Sequence, residues 1–240
     1  MIRGRWVLLL AALFLARAAH AQLAVDRLWI DFDAGSSPRS DLLVRNESKD
    51  RYYITVSPAE LVNPGTPAET RVEQADPDKL GLLVTPNRLI LDPDDMRAIR
   101  IVALDQDRKA DRVYRIRVSP EIGAIDAGED AAADRSGSLK LLAAYDILVT
   151  LRPRDPRVDI VARRDGAQIT LQNNGNTNAL LFDGVSCPAG AKVGDAACIK
   201  VGAKRMFAGN SWVLHLKAVT DTLHFKQRIS AALDPKDVTF

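Results

Sequence analysis

Residues 137–153, "GSLKLLAAYDILVTLRP", alternate almost without interruption. In an extended chain Leu139, Leu141, Ala143, Tyr145, Ile147 and Val149 lie on one side. Lys140, Leu142, Ala144, Asp146, Leu148, Thr150 and Arg152 lie on the other. An ordinary strand has about five or six residues, so this run is unusually long. Residues 123–138, "GAIDAGEDAAADRSGS", lead into it and are small, acidic and nearly free of large apolar side chains. Such a segment buries too little surface to offset the entropy of ordering, and a mobile loop is expected. A strand at a sheet edge offers unpaired N–H and C=O groups to another chain. Leu139, Leu141 and Ala143, two residues apart, have the spacing to enter that chain's pockets on one face. On pattern alone, a long central strand of the protein's own sheet accounts for the run equally well.

Outward from this stretch, the chain reads as strands nearly throughout. "DLLVRN" (41–46), "RYYITVSP" (51–58), "GLLVTPNRLIL" (81–91), "AIRIVAL" (98–104) and "RVYRIRVSP" (112–120) are short alternating or β-branched runs. Ser36, Ser37 and Pro38, then Asn63, Pro64 and Gly65, then residues 92–95 around Pro93 supply the turns between them. After the long strand, Pro153 and Pro156 punctuate the chain and mark a domain boundary. "VDIVARRDGAQITLQNNGN" (158–176) then reads as a hairpin turning at Asp165-Gly166. "ALLFDGVSC", "WVLHLKA" and "TLHFKQRI" continue the all-β texture. Two β-sandwiches are expected, over residues 22–153 and 154–240.

The first residues address the chain. Arg3 and Arg5 precede the apolar "WVLLLAALFLA", and "AHA" before Gln22 has the small residues of a cleavage site, so residues 1–21 read as a signal peptide. Losing Arg3, Arg5 and Arg17 takes the formal charge from +2 to about −1, which gives no basic excess for nucleic acid. No later segment is apolar enough for stable membrane insertion. Cys187 and Cys198, the only cysteines, are expected to form one local disulfide in an oxidising compartment. Two thiols without a nearby histidine or carboxylate cluster do not complete a zinc site.

Catalytic chemistry is hard to assemble from what remains. Beyond the leader the histidines are His215 and His224, both in alternating β-runs. No phosphate-binding glycine fingerprint or histidine metal motif occurs. Asp92, Asp94 and Asp95 lack the spacing of a calcium loop and read as a solvated hairpin turn. No enzyme activity, metal or cofactor is expected.

Four stretches give the chain a resemblance to the periplasmic chaperones of the chaperone–usher pilus pathway, with their PapD-like fold. "LLVTPNRLILDPDDMRAIRI" (82–101) has the family's "vTP", apolar run, proline-containing turn and "xIRi" strand. "RVYRIRVSPEI" (112–122) resembles the family's F1 strand, and residues 137–153 its G1 strand with the closing Arg-Pro. "NNGN" (173–176) resembles the family's turn early in the second domain. "ELVNPGTPAE" (60–69) and the cysteine pair after "NNGN" are similar to the alternate class, which serves colonisation-factor-type fimbriae. The resemblance implies two immunoglobulin-like β-sandwiches set at an angle, with a long G1 edge strand in the first.

It also implies a function: completing the unfinished fold of pilin subunits by donor-strand complementation and passing them to an outer-membrane usher. Leu139, Leu141 and Ala143 would be the donated residues, with Tyr145 and Ile147 continuing their face towards the cleft. Each large apolar side chain buried in a client's groove contributes about 1.5 to 3 kcal/mol. The family's carboxylate-anchoring arginine and lysine fall, in ungapped register, on Trp29 of "DRLWIDFD" (26–33) and Leu148 of "DILVTLRP" (146–153). Arg27, Thr150 and Arg152 are the substitutes at hand. The competing reading is a two-domain pilus subunit or adhesin. Such a protein carries an N-terminal donor extension, whereas here "LAVDRLWIDF" enters a strand directly after Gln22. A secreted hydrolase is a third reading without a catalytic constellation.

Overall fold

The computed structural model describes residues 23–105, 107–122 and 142–240. The leader (1–21), the whole acidic segment (123–138), Leu139 and Leu141 lie outside the described residues. The described chain is almost entirely β. The first half contains β1 (Leu23–Val25), β2 (Trp29–Phe32), β3 (Arg39–Asn46), β4 (Tyr52–Val62) and β5 (Thr70–Val72). A one-turn helix α1 (Pro77–Leu80) and β6 (Leu82–Thr85), β7 (Arg88–Leu91), β8 (Met96–Ala103), β9 (Arg112–Ile122) and β10 (Tyr145–Leu151) complete it. These strands form a sheet ordered β1-β3-β8-β6 and a second ordered β2-β10-β9-β4-β5, with β7 also on β4. All pairs are antiparallel except β10 with β2.

The second half contains β11 (Ile160–Asp165), β12 (Gln168–Asn173), β13 (Ala179–Cys187), β14 (Ile199–Val201), β15 (Lys204–Met206), β16 (Ser211–His215), β17 (Thr222–Arg228) and β18 (Lys236–Thr239). Its sheets run β11-β12-β16 and β14-β13-β17-β18, with β15 also on β13. The expected hairpin closes with Asp165 opposite Gln168, and Gly166 takes the left-handed φ of 58° that the tight turn demands. The turn residues are thus Gly166 and Ala167, one position later than the Asp-Gly pair suggested.

Each half holds its own core. In the first, Ile30, Leu42, Ile99, Ile116, Val149 and their neighbours pack between the two sheets. In the second, Ile169, Leu171, Leu181, Leu223 and Phe225 do so. Two readings of the first half need correction. Residues 81–91 are not one strand: β6 lies in one sheet and β7 in the other, and the chain changes sheet between them after the cis Thr85–Pro86 bond. The aspartate turn at 92–95 accordingly connects the two sheets and is not a hairpin.

Candidate functional site

Among the described residues, the beginning of β10 is paired on one side only. Residues 145–147 face β9 through Val118, Arg117 and Ile116, whereas β2 joins only where Leu148 meets Trp29. Residues 142–144 precede the strand, belong to no regular element and are exposed. Beyond Val118, β9 runs on to Ile122 with β4 as its one partner among the described residues. Among the described residues, backbone groups are therefore left without a strand partner on two neighbouring stretches, the condition for adding a strand from another chain.

Side-chain directions follow from the register. Ile147, Val149 and Leu151 are fully buried in the first core, and Tyr145 packs against it while donating its hydroxyl to the Leu23 carbonyl at 2.6 Å. Tyr145 and Ile147 were expected to continue the subunit-binding donor face towards the cleft. They belong instead to the protein's own sandwich, because alternation carries the inward face of β10 back through both residues. Ala143, next on that face, is exposed.

The opposite face of β10 is also buried, which no alternating pattern announces. Leu148 is grouped with Leu61, Val113 and Phe207, and Trp29 packs against them. Phe207 follows β15, so the second half covers this face of the first. Trp29 and Leu148 are direct neighbours in the parallel β2–β10 pair. The two positions picked out by resemblance therefore share one spot, and the cation there is one the sequence reading missed. Arg205 of β15 stacks its guanidinium 3.9 Å from the centroid of the Trp29 ring and donates to Asn178 Oδ1 at 2.6 Å. Burial holds its pKa down to about 10, opposed by the charge of Asp31. Only the topology, which sets β15 against β2, brings Arg205 here; nothing in its local sequence does so.

The three substitutes expected to anchor a carboxylate are not assembled together. Arg27 is half exposed and paired with Asp26 at 2.6 Å. It lies before β2, about 20 Å of extended chain from the level of Arg152, whose N–H donates to the Phe32 carbonyl. Thr150 is fully buried, and its hydroxyl has no hydrogen-bond partner. Arg152 has a completely buried side chain and is directed at its own chain. Its guanidinium pairs with Asp31 at 3.1 Å and Asp33 at 3.3 Å, and donates to Thr177 Oγ1 and to the carbonyls of Asn178 and Ile229. Those donors hold the halves together, so Arg152 offers a client no free fork.

Two carboxylates of the first half complete the junction. Asp111 accepts from Thr177 Oγ1 at 2.7 Å and from both the backbone and side-chain nitrogens of Asn178, at 2.7 and 2.6 Å. Asp31 accepts from Trp29 Nε1 at 2.9 Å and from the Ala231 N–H at 3.3 Å. Burial raises the Asp31 pKa above the ordinary carboxylate value, with Arg152 pulling the other way. The two recognisable loops also have structural roles. In the "NPGT" loop Pro64 accepts from Asn210 Nδ2 at 3.0 Å, and a Cβ on Gly65 would come within 2.7 Å of Asn210. In "NNGN", buried Asn173 donates to the Thr177 and Met206 carbonyls, and a Cβ on Gly175 would lie 2.0 Å from the Arg157 oxygen. Cys187 and Cys198 are joined as a disulfide. Among the described residues, no three metal-capable side chains cluster and no helix is long and apolar enough to cross a membrane.

No protein-family model matches the chain. It is 24% identical over 206 residues to a protein of Escherichia coli that carries the name of a CS1 fimbrial subunit, and the match spans 85% of each chain. Among solved structures, the class 5 fimbriae chaperone CfaA superposes with a TM-score of 0.66 at 22% identity, covering 91% of this chain and 97% of that one. A chaperone–tip adhesin complex of CFA/I fimbriae biogenesis gives 0.63 at 21% identity, with 92% and 98% covered. The two-sandwich architecture is the fold of these fimbrial chaperones.

Proposed function

We propose that this chain, which has the fold of the fimbrial chaperones, acts as one. It is exported by a leader removed after Ala21, and residues 22–153 and 154–240 form its two domains in the periplasm. There it binds fimbrial subunits by donating the stretch from Leu139 to Ala143 and releases them to an outer-membrane usher. The observation that carries this reading is the one-sided pairing of residues 145–147, with exposed residues immediately before them. A client strand aligned there would extend the sheet, and apolar side chains on the inward face of β10 would continue into its groove. The structural likeness to a chaperone–tip adhesin complex supports a fimbrial protein as partner.

A second reading, a two-domain fimbrial subunit, is favoured by the name of the Escherichia coli relative. The mature chain purified alone separates the two. A chaperone elutes as a small soluble species and forms a stoichiometric complex when co-expressed with a fimbrial subunit. Self-polymerisation without such a partner would overturn the chaperone reading.

A further inference from the structure

At one end of the first sandwich, strand register gathers several chain ends. The end of β2 is level with the end of β10, the end of β10 with the start of β9, and the start of β3 with the end of β8. Just beyond these ends, Asp33, Ser36, Ser37, Arg108, Arg152 and Arg154 line a cavity of about 260 Å³. That is below the roughly 300 to 1,000 Å³ of sites for drug-sized ligands. It has room for a small ion and several waters at about 30 Å³ each.

Two of its arginines carry donors that the protein itself does not satisfy. Arg152 commits its terminal nitrogens to Asp31, Thr177 and the carbonyls of Asn178 and Ile229. Its Nε is buried without a hydrogen bond, because Asp33 Oδ1, although 3.3 Å away, is not aligned with it. Arg108 has the same deficit: a terminal nitrogen donates to the Asp105 carbonyl, while Nε is buried and unpartnered. Among the described residues five buried side-chain polar atoms lack a partner, and two of them belong to this one cavity. Burial also holds the Arg108 pKa below its ordinary value, and the charge of Asp105 opposes this only in part. The Asp105 carboxylate is shared with Arg112 at 3.3 Å. Arg154 lies 3.9 Å from Asp107, and both are largely exposed, so solvent screens that pair. A buried charged donor left without an acceptor keeps its whole desolvation cost. An oxyanion, which accepts from several guanidinium N–H groups at once, relieves it. Three arginines along the lining against the single carboxylate of Asp33 favour a double charge. We propose that this cavity binds an inorganic dianion, sulfate or hydrogen phosphate, whose oxygens accept from Arg108 Nε and Arg152 Nε while Arg154 flanks the open side. The site is separate from the start of β10 and does not depend on the chaperone reading.

Calorimetric titration of the protein with sodium sulfate, sodium phosphate and sodium acetate, at matched ionic strength in chloride, tests this. Saturable one-to-one binding of a dianion, at least tenfold tighter than of acetate, is expected. Arg108→Met keeps the side-chain length without the charge and should weaken that binding at least tenfold. Arg154→Glu should weaken it at least threefold. Sulfate should also raise the thermal midpoint of wild type more than that of Arg108→Met, whereas its general exclusion from protein surfaces acts on both alike. Absence of saturable binding, acetate binding as tightly as the dianions, or unchanged binding by either variant would overturn the proposal and leave water as the partner of both donors. Arg154→Glu decides on its own if Arg108→Met does not fold.

Discussion

Arg205 lies with its guanidinium 3.9 Å from the centre of the Trp29 ring, and this contact joins the second half of the chain to the first beside β10. A partly buried cation stacked on tryptophan contributes about 1 to 2 kcal/mol, and the bond to Asn178 adds to it. Arg205→Ala should therefore lower the urea midpoint. In a Trp212→Phe background, Trp29 is the sole tryptophan of residues 22–240, and its fluorescence in that fragment should shift with the same variant. An unchanged emission spectrum would mean that the stack does not persist in solution.

The three arginines near the junction should separate by their effects on a client. If a client's terminal carboxylate docks beside Trp29 and Leu148, Arg205→Ala should weaken client affinity at least tenfold, while Arg27→Ala should leave it unchanged because Arg27 is solvated and paired with Asp26. Arg152→Ala should act through folding instead. It leaves Asp31 buried without its partner, at a cost of about 3 to 5 kcal/mol. Equal affinity of wild type and Arg205→Ala would place the anchor elsewhere.

Between the proposed donor stretch and β10, substitutions should behave oppositely. Leu139→Asp with Leu141→Asp should leave the protein folded and its client subunits degraded or aggregated. Ile147→Asp should unfold the first sandwich, since it buries a carboxylate in an apolar core. Full client solubility with the double variant would remove the donor-strand assignment.

Asp31 sets a pH dependence whose sign follows from its raised pKa. The folded chain holds the Asp31 proton more tightly than the unfolded chain does, where the value is about 3.8. Its contribution to stability is therefore complete below that value and is lost as pH rises through the raised one. Asp31→Asn should remove this loss. Urea unfolding across pH 3 to 7 should show wild type losing stability relative to the variant as pH rises. A difference running the other way would show that pairing with Arg152 outweighs burial.

The disulfide should be quantitative. Thiol labelling of unreduced, denatured protein should detect almost no free cysteine. Replacing both cysteines by alanine should cost about 2 to 4 kcal/mol.

Much of this architecture is legible from short-range pattern. The hairpin at Gly166, the cysteine pair and the alternation of β10 all depend on residues close together in sequence. Resemblance in register also carried Trp29 and Leu148 to a shared place. What escaped depends on distant chain. The second face of β10 is buried by Phe207, more than fifty residues downstream, so the sequence leaves the surroundings of Thr150 and Arg152 open. The face taken by Tyr145 and Ile147 is decided by where the protein's own core begins, which alternation does not mark. The change of sheet after Thr85 divided a run whose apolar pattern is continuous.

The cover that Phe207 and Arg205 place over Leu61, Val113 and Leu148 also imposes an order of events during synthesis. A chain made amino end first delivers β10 well before β15. Throughout that interval the first sandwich can close its own core while its outer stripe stays uncovered. Early maturation therefore passes through a half-finished molecule with an adhesive flank, and that flank is sealed only when the chain beyond β15 has emerged.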